Sequence, residues 1–254
     1  MTVFKITLII YFLHQSTAQA PKNINHQLFW NSGQGQWITM ITPDECLHFD
    51  FGGEIIFFKK NTQLLKKICQ NKNNRLFLSH PDLDHYSYIT QFMKVLPRLC
   101  WNDRNHPEIK TQMSPLPHCT QSPTPKNFAL SHLFQKYTPQ KSKPQHHKTN
   151  KNHSSTVFVY NQTLIPGDSP KQQEKIWIHQ LNLSHIRILS LGHHGSKTST
   201  SLELVNKLSQ IKMSIAQARF KRYGHPNKLI TDRLKIKKIP LLRTEEWGNI
   251  LIEN

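Results

Sequence analysis

The sequence predicts a layered α/β domain, in which strands alternate with helices and a site forms at strand ends. Runs rich in β-branched and aromatic residues, such as Thr156–Tyr160 (TVFVY), alternate with segments of helical spacing, such as Thr62–Gln70. Histidines and aspartates follow apolar runs directly, as His80 follows Arg75–Ser79. Because binding sites form at strand ends in layered α/β folds, these polar residues are the candidate site.

The size and the charge of the chain limit the classes of protein to which it can belong. The chain has 254 residues, of which 37% are hydrophobic, and this is enough for one well-buried domain rather than a disordered polymer. Its 33 Lys and Arg against 15 Asp and Glu give a net charge of +18, which attracts polyanions. Nucleic acid is the favoured partner. Such a charge could also reflect selection for solubility, or adsorption to anionic membranes or surface polymers.

The first twenty residues have the pattern of an export signal. Lys5 precedes the apolar run Ile6–Leu13, and Ala18-Gln19-Ala20 has the small-x-small pattern of a cleavage site. We therefore expect residues 1–20 to be a signal peptide and residues 21–254 to form a periplasmic or secreted domain. The apolar run is too short for a permanent anchor, and no integral membrane segment is expected after the signal is removed.

Four cysteines could form disulfides in such a compartment. None has the paired C-x-x-C spacing of a zinc site. Cys100 and Cys119 flank a loop-rich stretch and are the favoured pair. Burial in the core as free thiols is the alternative for all four cysteines, which are Cys46, Cys69, Cys100 and Cys119.

The first hundred residues predict three strands and two helices after the export signal. The turn Pro43-Asp44 joins the first two strands, and the first helix has Leu64, Leu65 and Ile68 on one face. In chain order, these elements are the strands Gln36–Thr42 and Cys46–Phe51, the helix Thr62–Gln70, the strand Arg75–Ser79 and the helix Tyr86–Cys100, ending near Pro97.

Residues 102–154 differ in character from the rest of the chain. They are rich in Pro, His, Lys, Gln, Ser and Asn and have little apolar periodicity, which predicts an exposed, mobile insertion with one short helix at Asn127–Tyr137. Regular elements are predicted again after it. They are the strands Thr156–Tyr160, Ile186–Leu191 and Met213–Ala218, the helices Leu202–Leu208 and Leu229–Leu234, and the closing pair Pro240–Arg243 and Gly248–Ile252.

The strongest chemical signal is the run His80-Pro81-Asp82-Leu83-Asp84-His85, directly after a predicted strand. In an extended loop, residues two apart point the same way, so His80 and Asp82 can share one metal ion. Asp84 and His85 begin the next helix and can turn toward a second ion. Helix capping by Asp84 is the structural alternative, but it accounts for only one of the four residues.

Two further motifs follow predicted strands in the same way. Gly167-Asp168 puts a carboxylate in a turn, and Gly192-His193-His194-Gly195-Ser196 puts two histidines beside glycines that allow close backbone approach. Either motif alone is more typical of an ordinary turn. Together with the histidine and aspartate run, they indicate a shared metal site.

These motifs together resemble the metallo-β-lactamase-fold hydrolases, and specifically the C-terminal hydrolase domain of the ComEC/Rec2 competence proteins, which move DNA into bacteria. The H-x-D-x-D-H block separates this branch from the H-x-H-x-D-H lactamases and glyoxalases. The resemblance implies an αββα sandwich of two mixed β-sheets packed face to face with helices outside. The matching motifs are Gly33-Gln34-Gly35, Asp50-Phe51-Gly52-Gly53, Ser79 to His85, Asn152-x-x-Ser155, Gly167-Asp168, Gly192 to Ser199, and Arg222 to Pro226.

The resemblance also implies a role for each polar residue. Asp168 would bridge two divalent ions, zinc or manganese, and His193 would close the second site, with His194 as its competitor. Asp84 and His225 would be catalytic, with His225 acting as an outer ligand or as proton donor to the leaving group. The implied ligands are His80, Asp82, Asp84, His85, Asp168 and His193. The implied substrate-binding residues are Ser196, Lys197, Thr198, Arg222 and Tyr223.

The function that follows is that of an exported, metal-dependent phosphodiesterase or nuclease, in which a hydroxide shared by two metals attacks phosphorus. By the same resemblance DNA is the expected substrate and partner, for competence or nutrition, with RNA as the alternative. No organic cofactor is expected. Tyr223 could stack on a base, although core burial is its favoured role. The alternatives are a lactamase, lactonase or small phosphodiesterase on the same scaffold, and a non-catalytic basic DNA-binding protein with a vestigial metal site.

Overall fold

The computed structural model describes residues 26–102, 109–119, 134–139 and 151–253, and these form two six-stranded mixed sheets. In the first sheet, antiparallel pairing joins the first four strands of the spatial order and parallel pairing joins the last three. That order is β12 (Ile250–Glu253), β1 (His26–Phe29), β2 (Trp37–Ile41), β3 (Glu45–Phe51), β4 (Asn73–Phe77) and β5 (Leu99–Trp101).

The second sheet is parallel over four strands and antiparallel at its other edge. Its spatial order is β11 (Leu241–Arg243), β10 (Met213–Ala216), β9 (Ile188–Ser190), β8 (Thr163–Ile165), β7 (Val157–Tyr160) and β6 (Phe134–Tyr137). Because β8, β9 and β10 run in the same direction, their carboxyl ends lie along one edge of the sheet. The residues that follow those ends form half of the site described below.

Helices cover both sheets from outside, and three buried clusters define the layers. Phe49 of β3 packs with Phe158 of β7 in a core between the two sheets. Phe58 and Leu65 belong to a cluster over the first sheet, and Trp177 to one over the second. The helices are α1 (Ile55–Cys69), α2 (Leu83–Tyr86), α3 (Ile89–Val95), α4 (Lys110–Met113), α5 (Lys171–Trp177), α6 (Leu202–Lys207), α7 (Phe220–Tyr223), α8 (Lys228–Ile236) and α9 (Thr244–Trp247). The four-layer sandwich expected from the sequence is thereby confirmed.

Both pairs of cysteines form disulfides. Cys100 is joined to Cys119, as predicted, and Cys46 is joined to Cys69. The alternative of free thiols is therefore wrong, and the second bridge was not predicted. Cys46 lies on β3 and Cys69 ends α1, so this bridge fastens the longest helix to a central strand of the first sheet.

Two predicted helices differ from the structure. The segment Tyr86–Cys100 is interrupted: α2 ends at Tyr86, α3 ends at Val95, and Leu99–Trp101 is a strand because it pairs with β4. The described part of the predicted helix Asn127–Tyr137 is strand β6, because pairing with β7 overrides local helical preference. Residues 127–133 and the predicted signal, 1–20, lie outside the described residues.

The polar insertion predicted at 102–154 contributes to the sandwich in its described segments. Strand β6 forms the edge of the second sheet, while Ile109 and Met113, at and beyond the start of α4, are buried in the cluster over the first sheet. Low apolar periodicity in the sequence concealed these short elements. Among the described residues, no helix is both long enough and apolar enough to cross a bilayer.

Candidate metal centre

Loops from the two halves of the chain bring six predicted ligand residues and His194 together. His80 lies in the loop after β4, and Asp84 and His85 lie on α2, which begins directly after that loop. Asp168 follows β8, and the turn Gly192–Gly195 follows β9. Because the loops start from different sheets, the site lies across the top of the interface between them.

Asp168 is the residue that both groups of ligands share. Its Oδ1 is 3.2 Å from Nε2 of His85 and 3.9 Å from Nε2 of His194. Its Oδ2 is 3.7 Å from Nε2 of His80 and 3.4 Å from Nε2 of His193. The two oxygens of one buried carboxylate therefore face two different pairs of histidines, as a carboxylate that bridges two ions would.

The remaining acids divide between the same two groups. Oδ2 of Asp82 is 3.5 Å from Nε2 of His80, on the side of the first group. Oδ2 of Asp84 is 3.2 Å from Nε2 of His194, on the side of the second. By these pairwise distances we define a first group, His80, Asp82, Asp168 and His193, and a second group, Asp84, His85, Asp168 and His194. His85 also lies close to the first group, because candidate ligand atoms of His80, His85 and Asp168 are within 4.8 Å of one another.

This division differs from the predicted one at the two consecutive histidines. His194, the alternative, lies where His193 was expected, with Asp84 and His85, and candidate ligand atoms of these three residues are within 4.8 Å of one another. His193 supplies a second histidine to the first group, beside His80. Both histidines are therefore brought to Asp168.

The turn Gly192–Gly195 (the GHHG turn) reaches this geometry with an unusual backbone. His193 has φ 50° and ψ 48°, and His194 has φ 55° and ψ 18°, which is the left-handed region that non-glycine residues seldom adopt. Such residues cost about 1–3 kcal/mol each and are typical of functional sites. The backbone N–H of His193 donates to the carbonyl of Gly167 (2.9 Å), which ties the turn to the segment that holds Asp168.

The donor set fits metal ions better than it fits an empty core. Four buried atoms of the site have no hydrogen-bond partner: Nε2 of His80, His85 and His194, and Oδ1 of Asp168. Buried polar atoms in proteins nearly always have a hydrogen-bond partner or a metal ligand role, so four unpartnered atoms that face one another indicate an ion-binding site. Imidazole nitrogens and carboxylate oxygens are ligands of zinc and manganese, and a group of four donors with a partly exposed acid on one side suits either ion.

Hydrogen bonds behind the rings orient the histidines. Nδ1 of His194 donates to the carbonyl of Gln217 (3.0 Å), and this contact directs Nε2 toward Asp84. Nδ1 of His85 contacts Oδ2 of Asp50 at 2.8 Å, and the ring is fixed in the same sense. Sequence reasoning assigned no role to Asp50 or Gln217. The only signal was that Asp50 lies one residue before the end of a predicted strand, in one of the motifs that carried the resemblance.

The charges within the site stabilise one another. Burial alone would raise the pKa of Asp168, but the positive charges of His85, His194 and His80 outweigh it and hold the pKa well below the ordinary value. Burial likewise opposes the shift at Asp84, where the close contact with His194 and the positive charges of His85 and His194 lower the pKa. Both acids are therefore ionised at neutral pH, which is the form that binds a cation.

The predicted substrate-binding residues surround the open side of the site. Oγ of Ser196, which is buried, lies 3.0 Å from Oγ1 of Thr198, and that atom lies 3.0 Å from Nδ1 of His193. Lys197 is exposed beside them. The ring of His225 is 6.1 Å from that of His193, and its Nδ1 is buried without a partner.

Arg222 and Tyr223 are exposed at the end of α7, next to His225. The sequence favoured core burial for Tyr223, and this prediction is wrong. Helix α7 has only four residues, and the space beside Gly224, which follows its C-terminal end, is open to 4 Å. The ring of Tyr223 is therefore left exposed.

No protein-family model matches the chain, but three curated proteins are similar in sequence. ComE operon protein 3 of Bacillus subtilis is 31% identical over 87 residues, 34% of this chain and 11% of that protein. Recombination protein 2 of Haemophilus influenzae is 29% identical over 108 residues, 41% of this chain and 14% of that protein. Competence protein ComA of Neisseria gonorrhoeae is 24% identical over 250 residues, 96% of this chain and 34% of that protein. The chain thus spans about a third or less of the length of each relative.

Two solved structures are similar over nearly the whole chain. The metallo-β-lactamase fold protein YhfI from Bacillus subtilis has a TM-score of 0.56 at 12% identity, covering 91% of this chain and 100% of that one. A diphosphatase from the PhnP family has a TM-score of 0.54 at 11% identity, covering 90% of this chain and 98% of that one.

Proposed function

Because the chain has the metallo-β-lactamase fold and is similar to competence proteins, we propose that it is an exported, metal-dependent phosphodiesterase that cuts DNA. The observation that carries the proposal is the buried Asp168, whose two oxygens face separate pairs of histidines. A pair of divalent ions at such a carboxylate is the arrangement typical of phosphodiester hydrolysis.

The ions, zinc or manganese, would be held by the two groups that share Asp168. Bound there, they would supply a water nucleophile of lowered pKa and neutralise charge on the phosphoryl oxygens. The remaining chemistry belongs to the chain. Asp84 and Asp168 stay ionised, and the hydrogen bonds to Asp50 and Gln217 keep the rings of His85 and His194 aimed at the site.

Three groups on the open side can bind the substrate. The hydroxyl of Thr198 is held between Ser196 and His193 and can donate to a phosphoryl oxygen, beside the exposed ammonium of Lys197. His225, next to His193, can hydrogen-bond to a second phosphoryl oxygen or to the leaving oxygen.

The charge of the chain supports a polyanionic substrate rather than a lactam. The net charge is +18, and basic residues that are exposed or partly exposed continue from the site along α7 and α8. Phosphate contacts by lysine and arginine supply most of the sequence-independent affinity for nucleic acid. The described basic residues of this stretch are Lys221, Arg222, Lys228, Arg233, Lys235, Lys237 and Lys238.

Export is supported by two lines of evidence. The N-terminal sequence has the pattern of a signal peptide, and the structure has two disulfides, which persist in oxidising compartments. We therefore propose a periplasmic or secreted location and a role in processing DNA for uptake or nutrition.

One experiment separates this function from its alternatives. The mature protein is incubated with linear DNA, plasmid, RNA, nitrocefin and a small phosphodiester, in Mn²⁺, Zn²⁺ or EDTA, beside Asp84→Ala. Asp44→Ala, which changes an exposed acid far from the ligands, is the matched control. We expect metal-dependent cleavage of DNA by the wild type and the control and none by Asp84→Ala. Turnover of nitrocefin alone would make the protein a lactamase, and DNA retention without cleavage would make it a binding protein.

A further inference from the structure

An aromatic ring stands exposed at the mouth of the metal centre. Tyr223 is 58% exposed, although tyrosine is a large, largely apolar side chain. It ends α7, and the left-handed Gly224 that follows turns the chain sharply toward His225. Single exposed rings are common on protein surfaces, but this ring lies at a site that is proposed to bind nucleic acid.

The ring lies directly outside the proposed ligands. Its centroid is 6.2 Å from that of His225, which is in turn 6.1 Å from that of His193. Nε2 of His193 faces Oδ2 of Asp168. Only the ring of His225 therefore lies between Tyr223 and the proposed ligand His193. A nucleotide whose phosphate lies at the metal centre could reach Tyr223 with its base.

Contacts from three other segments hold α7 in position. The backbone N–H of Arg219 donates to Oε1 of Gln34 (3.2 Å), and its guanidinium donates to Oε2 of Glu54 (2.6 Å). The backbone N–H of Phe220 donates to Oε2 of Glu245 (2.9 Å). Because the helix is fixed at its start, the ring at its end is presented in a defined place before any substrate binds.

The neighbour of the ring adds the complementary charge. The guanidinium of Arg222 lies 5.4 Å from the centroid of Tyr223, in cation–π contact, and 3.6 Å from Oε1 of Glu54. A planar cation beside an exposed aromatic ring is the combination that binds unpaired bases together with their phosphates. In a duplex the faces of internal bases are covered by their neighbours, so only a single strand or an opened end offers a free base.

We propose that Tyr223, with Arg222 beside it, is a stacking surface for one unpaired base, so that the site favours single-stranded nucleic acid over closed duplex. This inference rests on the proposed function, because it assigns a strand preference to that same site.

The test compares strands with and without bases. Wild type, Tyr223→Phe and Tyr223→Ala are assayed on oligo-dT, on an abasic strand of equal length and on covalently closed duplex. We expect the wild type to prefer oligo-dT to either of the others by roughly tenfold in kcat/KM. Tyr223→Ala should lose about tenfold on oligo-dT and nothing on the abasic strand, and Tyr223→Phe should stay within about twofold of the wild type on both.

Phe220→Ala is the matched control, because Phe220 is also an exposed aromatic of α7 with an arginine beside it, Arg243 at 6.0 Å. It should match the wild type on oligo-dT. Equal losses for Tyr223→Ala on both strands, or no loss on either, would overturn the stacking proposal. Binding of the same strands in EDTA is measured in parallel. If no strand is cut, the proposed function fails, and the binding difference between oligo-dT and the abasic strand still decides the role of Tyr223.

Discussion

The carboxylate of Asp50 links the backbone of the first sheet to the metal centre. It accepts from the backbone N–H of Ser79 (2.7 Å), from the hydroxyl of Ser79 (2.9 Å) and from the amide of Gln36 (2.9 Å), and it contacts Nδ1 of His85 (2.8 Å). A carboxylate behind a ligating histidine fixes the ring and raises its basicity.

Replacing this carboxylate should weaken metal binding without removing a ligand. For Asp50→Asn we expect a loss of about 10- to 100-fold in affinity for the ion at the second group, because His85 loses its charged partner. Competition with a chelator of known affinity measures this loss. Asp44→Asn, at an exposed turn, should leave the affinity unchanged, and an unchanged affinity in Asp50→Asn would contradict the assigned role.

The buried side chain of His48, on β3, makes the stability of the fold depend on pH. Burial lowers the pKa of His48 from its ordinary value of 6.5 to about 4, against a hydrogen bond to Asn74 that raises it. Nε2 of His48 is 3.1 Å from Oδ1 of Asn74, and Nδ1 is 2.9 Å from Oγ1 of Thr39. The amide of Asn74 donates to two carbonyls, so its oxygen faces the ring and the neutral histidine is satisfied.

In the unfolded chain His48 has its ordinary pKa of 6.5, whereas in the folded chain its pKa is about 4, so between these pH values only the unfolded chain is protonated at His48. The free energy of unfolding therefore falls as the pH falls through this window, by roughly 3 kcal/mol at the lower end. Urea unfolding of the wild type and His48→Gln at several pH values measures the difference. We expect the difference to shrink or reverse toward pH 4, and a constant difference would contradict the prediction.

Single residues were predictable where chemistry and strand ends coincide. His80, Asp82, Asp84 and His85 are adjacent in the sequence, so their type and spacing indicated a metal. Contacts between distant segments were not predictable: Gln217 is 23 residues from the ring it orients. The left-handed backbone of His193 and His194 in the GHHG turn was not predictable from the sequence either. This backbone conformation determines the direction of each histidine side chain.

At the scale of elements, strand pairing determined the secondary structure where the local sequence pattern did not predict it correctly. The helix predicted at Thr62–Gln70 is the second half of α1, which begins at Ile55. Its first turns carry exposed Ile55 and Ile56, so apolar spacing there gave no clear face. Strand β6 has only four residues, two of them polar, and it is a strand because it pairs with β7 at the edge of the second sheet.

The bridge between Cys46 and Cys69 should stabilise the first sheet with α1. It closes a segment with a sequence separation of 23 residues, and a loop of this size corresponds to about 3 kcal/mol of lost freedom in the unfolded chain. We expect the double variant Cys46→Ala/Cys69→Ala to lose about that much in the free energy of unfolding. Urea denaturation measures this loss. An unchanged midpoint would mean that the bridge contributes nothing to the folded state.

At the scale of the whole molecule, the candidate metal centre is assembled from residues that follow strands of both sheets. The loop after β4 and the helix α2 that follows it supply four predicted ligands, and the loops after β8 and β9 supply the others. The amide of Gln217 also joins the halves, because it donates to the carbonyls of Trp30 (2.9 Å) and Trp37 (2.7 Å) while the backbone carbonyl of Gln217 holds His194.

Metal ions should therefore stabilise the two sheets as one cooperative unit. At a free ion concentration 100 times the dissociation constant, one site adds about 2.7 kcal/mol to the free energy of unfolding. We expect Mn²⁺ or Zn²⁺ to raise the Tm of the wild type in a single transition, measured by calorimetry, and to raise that of Asp168→Asn far less. A rise of equal size in the variant would separate ion binding from the proposed centre.

The pairing of β1 with β12 has a consequence for how the chain reaches its native state. These strands lie at the two ends of the described residues, with Phe29 opposite Ile250. Strand β1 pairs with a strand that lies more than two hundred residues later in the sequence. Contacts between residues so far apart in the sequence raise the contact order, and a high contact order slows folding. During synthesis the edge of β1 therefore stays unpaired until β12 has emerged, and an unpaired strand edge is a site of aggregation in that interval.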